Sequence, residues 1–123
     1  MMKLVNIRKL SPPITTVFVK YCDSFWSKFV GLMFRKELKQ DEGIILVGNR
    51  ESKINTSIHM FFMSFDITIL WLDKDLVIVD KALAKKWVPI YKPKMPAQYV
   101  LELHHSKISD YAIGDKLVIN ISS

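Results

Sequence analysis

A chain of 123 residues, half of them apolar, can bury one core without metal or disulfide staples, which excludes intrinsic disorder and favours a single domain over residues 1–123. One cysteine, Cys22, excludes an internal disulfide and suits a reducing compartment. The net charge of +6 permits attraction to anionic partners, but lysines scattered over a small domain are the ordinary device for solubility.

Residues 3–8 alternate weakly and read as a strand; Pro12-Pro13 ends it, because proline cannot donate to a ladder. Ile14 to Lys20 is rich in β-branched residues and reads as a second strand. Asp23 or Ser24 can cap a helix near 24–34, where Phe25, Phe29 and Leu32 recur at helical spacing, as do Trp26, Val30 and Met33. Lys36 to Gly43 reads as a charged loop, Ile44 to Val47 as a short buried strand and Gly48 to Lys53 as a polar turn region.

The longest apolar run, Ser57 to Asp73, is the spine of the chain. From Ile67 to Leu72 both faces are apolar, with Ile67, Ile69 and Trp71 on one and Leu70 and Leu72 on the other, so this strand is covered on both sides. Asp73-Lys74-Asp75 reads as a turn, and Leu76 to Asp80 returns as a strand without a glycine to supply positive φ. Val88 to Ala97 carries three prolines and reads as an irregular crossing. In the next strand, Gln98 to His104, Tyr99, Leu101 and Leu103 share one face and Val100 and Glu102 the other. A turn or helical loop leads to Gly114-Asp115, and Lys116 to Ile121 closes the chain as a strand. The fold expected is mostly β (α+β): a small antiparallel barrel or two-layer sheet of about seven strands with one short helix.

Four pieces in order carry a resemblance: Gly31-Leu32-Met33-Phe34-Arg35; Ile58-His59-Met60-Phe61-Phe62-Met63 with Phe65-Asp66-Ile67 and Leu70-Trp71-Leu72-Asp73; Ala97-Gln98-Tyr99-Val100-Leu101-Glu102-Leu103; and Gly114-Asp115-Lys116-Leu117. Their order and spacing resemble the DUF192 family of prokaryotic domains of unknown function. The resemblance implies a compact β-rich domain with one short helix and brings no reaction with it. The chain departs from the family pattern where Leu76 and the His104-His105-Ser106-Lys107 segment stand near usual glycines.

Asp66 sits within a run expected to be buried, where a carboxylate needs a partner, and the fork of Arg35 fits it. The structural reading, a tie between helix end and sheet, is preferred over an anion site. His59 could work with Asp66 in acid–base chemistry, or with nearby methionines bind a soft metal, but a structural histidine is preferred to both. His104 and His105 read as a strand end and Cys22 as an inert thiol. No metal site, catalytic residue or cofactor is assigned.

The Lys85–Lys94 segment interleaves four lysines with Trp87 and Tyr91, a composition shared by single-strand nucleic-acid surfaces and by crossings pinned to a core. The function expected first is a non-catalytic module binding a small molecule or protein in a cleft formed by Arg35, His59, Asp66, Trp87 and Tyr91. A hydrolase using His59 and Asp66, or a nucleic-acid binder, are the alternatives. Neither a secretory signal nor a membrane helix is expected, since Asp66 interrupts the longest apolar run; the expected location is the cytoplasm.

Overall fold

The computed structural model describes residues 3–24, 28 and 31–121. Seven strands form: β1 (Lys3–Lys9), β2 (Thr15–Cys22), β3 (Glu42–Ser52), β4 (Ile67–Leu72), β5 (Ile78–Ala84), β6 (Ala97–His104) and β7 (Leu117–Ile121), with a 3-10 helix at His105–Asp110. They make one sheet in the order β5-β4-β6-β3-β2-β1-β7, curled into a half-barrel. Every neighbouring pair is antiparallel except β2 and β3. The sheet is therefore mixed rather than purely antiparallel, because the long excursion from 23 to 41 brings the chain back to the end of the sheet from which β2 set out.

The edges of the half-barrel are stitched together at one end. Val77 bridges Lys116, Ile78 N donates to Asp115 O at 2.9 Å, and Leu117 N donates to Leu76 O at 3.0 Å. Lys9 fastens the same end from within: its side chain is 1% exposed, its amine donates to the Asp110 carbonyl, and it lies 3.5 Å from the Asp115 carboxylate and over the Tyr111 ring. A buried lysine needs this much compensation.

The alternation read from sequence decides the two apolar layers. Val5, Ile7, Val17, Val19, Ile45, Leu70, Leu72, Leu101 and Leu103 fill the concave side. Ile44, Leu46, Ile67, Ile69, Trp71 and Val100 form the outer face, and Leu32, Leu38, Ile58, Met60 and Met63 cover it. β4 lies between β5 and β6 with all six residues buried, and each aliphatic side chain so buried stabilises the fold by about 1.5–3 kcal/mol.

Two strand boundaries are revised, at β3 and β5. Of the helix expected near 24–34, residues 25–27, 29 and 30 lie outside the described residues; Lys28 N donates to Ser24 O at 3.0 Å, and residues 31–34 form turns. β3 runs on through the polar residues to Ser52, its register against β6 shifting between Val47 and Ser52, since backbone pairing does not require apolar side chains. The return strand begins at Ile78 rather than Leu76, because the tight turn consumes Leu76 at φ 64°, with Asp73 Oδ1 accepting from Asp75 N and Val77 N. Residues 58–63 make a single bridge, from Ile58 to Tyr91, followed by turns, with Phe62 at φ 61°.

Candidate functional site

The outer face of β3 and β6 is incompletely covered, and a cavity of about 710 Å³ remains beneath the segments that cross it. Leu32, Leu46, Ile58, Met63 and Val100 supply apolar wall, and Asn49, Arg50, Asn55, Ser57 and Gln98 supply polar groups. The cover is fastened rather than draped. Trp71 Nε1 donates to Thr56 O at 2.7 Å, Ile58 and Tyr91 exchange backbone hydrogen bonds at 2.8 and 2.7 Å, and Trp87 N donates to Met60 O at 2.9 Å.

Glu102 stands in this wall, only 5% exposed. Its place follows from register: across the sheet it faces Ile44 of β3 and Ile69 of β4, so its lateral neighbours are apolar. No hydrogen bond or ion pair reaches its carboxyl among the described residues, and burial alone pushes it from 4.5 up to about 7. Gly31, at φ 48°, lets the chain pass close to it; a side chain there would begin 3.3 Å from Ile44 Cδ1, 3.7 Å from Lys28 O and 3.8 Å from Glu102 Oε1. Lys28 and His59 also line the cavity, the Lys28 amine donating to Val47 O at 3.1 Å and the His59 ring stacking on Phe61.

The residues expected to share a cleft are dispersed. Of Arg35, His59 and Asp66, only His59 lines the cavity. Arg35 pairs with Glu42 at 3.6 Å, not with Asp66. Asp66 is not enclosed: it lies just before β4, where the pairing of Ile67 with Ala84 brings Lys85 alongside. Its carboxylate accepts from Lys86 N at 2.9 Å and meets Lys85 Nζ at 3.4 Å; the Lys86 N–H above all holds it below the usual carboxylate range. Asp66 lies in a separate depression of about 300 Å³ with Phe65, Leu83, Lys85, Lys86 and His105, so it and His59 share no pocket, as a hydrolase built on them would need. Tyr91 fastens the back of the cover, its hydroxyl accepting from Lys85 N at 2.8 Å, and Trp87 is exposed.

Trp87 belongs to a surface cluster instead. Phe34 stacks on Phe62 with centroids 5.1 Å apart, and Phe62 meets Trp87 edge-on at 5.2 Å. All three are exposed and hold left-handed backbone, at φ 65°, 61° and 67°, which bulky residues adopt rarely. Elsewhere, His104 ends β6 and caps the 3-10 helix, Cys22 is buried, and no group of three His, Cys, Asp or Glu side chains placed to hold a metal occurs among the described residues.

The family model of DUF192, described as an uncharacterised ACR, matches residues 7–119. A UPF0127 protein of Thermococcus kodakarensis is 44% identical over 84 residues, covering 68% of this chain and 52% of its own length. A UPF0127 protein of Pyrococcus furiosus is 36% identical over 104 residues, covering 83% and 86%. The chain spans about half the length of the Thermococcus kodakarensis relative and of a second from Thermococcus gammatolerans. Among solved structures, a proposed transcription regulator of Sinorhizobium meliloti superposes with TM-score 0.82 at 20% identity, covering 96% of this chain and 93% of that one. A protein of unknown function from Novosphingobium aromaticivorans gives TM-score 0.78 at 20% identity, covering 95% and 84%. These two likenesses are of fold.

Proposed function

The chain belongs to the DUF192 family, whose relatives name no reaction, and from that premise we propose that it is a non-catalytic module that binds a small organic ligand in the cavity over β3 and β6. The observation that carries this reading is the cavity itself: about 710 Å³, walled by aliphatic side chains and holding a buried carboxyl without a partner among the described residues. That combination of apolar wall and a few placed polar groups is what small-molecule sites are made of. No helix among the described residues is long and apolar enough to cross a membrane, and the reading assigns the protein to the cytoplasm, in keeping with a sequence whose one cysteine cannot make an internal disulfide.

The test is methyl-resolved NMR against a fragment library. Saturable shifts should concentrate on the methyls of Leu46, Ile58, Met63 and Val100, and a library whose hits all perturb other surfaces refutes the reading.

A second reading has one specific observation in its favour. Phe34, Phe62 and Trp87 form an exposed aromatic cluster, with Arg35-Lys36 following the first ring and Lys85-Lys86 preceding the last. Stacking faces beside cations suit single-stranded nucleic acid, and one structural relative is described as a proposed transcription regulator. Anisotropy of a labelled oligothymidylate should then show binding that falls steeply with salt and is lost in W87A; equal binding by wild type and W87A sinks this reading.

A further inference from the structure

Glu102 is an expensive residue for its position. Glutamine would fill the same space without the penalty that burial places on a charge. Neutral donors and acceptors are already present in the cavity as Asn49, Asn55, Ser57 and Gln98, so a neutral ligand has no need of a carboxyl group. Among the described lining residues Glu102 is the one acid, the other charged or titratable groups being Lys28, Arg50 and His59. What Glu102 alone offers is a desolvated negative charge, and the partner that compensates it fully is a cation.

We propose that the cavity takes an aliphatic ligand with a primary ammonium head, seated against the Glu102 carboxylate in the cavity wall. This rests on the reading of the cavity as a ligand site. The body of the ligand lies along Leu32, Leu46, Ile58, Met63 and Val100, a wall of aliphatic and thioether side chains. A charge-assisted hydrogen bond in a water-poor setting discriminates strongly against a neutral isostere. The rim cations act the other way: Lys28 is already engaged by Val47 O, and Arg50 is exposed, where its charge is screened.

The assay is calorimetric titration of wild type and E102Q with three six-carbon probes, hexylamine, 1-hexanol and hexanoate. Hexylamine should bind wild type at least about tenfold more tightly than 1-hexanol, and E102Q should remove that preference while still binding 1-hexanol. For wild type, hexylamine binding should be about tenfold weaker at pH 6 than at pH 8, because the ammonium then competes with a proton on Glu102. His59 also lines the cavity, so E102Q, which keeps His59, isolates the Glu102 contribution. Equal binding of hexylamine and 1-hexanol by wild type overturns the ammonium assignment and leaves the cavity reading standing, as does an unchanged preference in E102Q. If no probe binds at millimolar concentration, both readings fall.

Discussion

Glu102→Gln should reshape the pH dependence of stability in a direction opposite to that of most acids. With its carboxyl raised from 4.5 to about 7 by burial, folded protein holds a proton that the unfolded chain has already released. Across that interval the native state binds more protons than the unfolded state, so stability falls as pH rises, and the loss is complete once pH passes about 7. At about 1.4 kcal/mol per pH unit, the interval corresponds to about 3 kcal/mol. Urea denaturation of wild type and E102Q at pH 5, 7 and 8.5 reads this directly, since the difference between the two proteins cancels every other titration. E102Q should gain about 3 kcal/mol on wild type between pH 5 and pH 8.5. Parallel stability curves would show that Glu102 is solvated or paired, and the argument from desolvation would fail.

Three further changes test the scaffold around the site by the same denaturation assay. Trp71→Phe removes the buried indole donor to Thr56 O and should cost about 1–3 kcal/mol while loosening the cover; unchanged exchange protection at residues 56–60 would count against that role. At Leu76, φ 64° makes Leu76→Gly more stable than Leu76→Ala by about 1 kcal/mol, reversing the order found at ordinary strand positions. Lys9→Met keeps the bulk of the stem but leaves the Asp110 carbonyl and Asp115 without their amine, and should cost about 1–3 kcal/mol; a neutral effect would mean that the end stitched by Val77 and Lys116 holds without it.

Much of the sheet is legible in the sequence because period-two alternation and β-branched residues act locally. The faces of β4 and β6 fall where the alternation puts them, and the family resemblance extends over residues 7–119. The site is not legible in the same way. Glu102 lies on the face assigned to it, yet an acid on a strand reads as a solvent-facing residue; only the strand order β4-β6-β3 and the cover above it make that face buried. The signal that could have found it is its place between Leu101 and Leu103 in a strand too apolar to be an edge. Asp66 misleads in the opposite sense: the apolar run around it suggests burial, but the hairpin register puts Lys85 and Lys86 N beside it at the rim. Arg35 finds the nearer Glu42 once the turns at Gly31 and Phe34 have redirected the chain. Leu76 shows how a turn that ordinarily asks for glycine is kept without one, Asp73 accepting two backbone N–H groups to hold it.

The pairing of β1 with β7 imposes a timetable on synthesis. Of the seven strands β1 is made before the others, and its inner side is secured by β2 soon afterwards. Its outer edge has to wait for Leu117–Ile121, the last of these seven strands in chain order. During that interval a row of unpaired amides and carbonyls is offered to any neighbouring nascent chain. Arg8 and Lys9 in β1, with Lys20 opposite Leu4, put positive charge along that waiting strand, so that two such edges repel each other until β7 arrives.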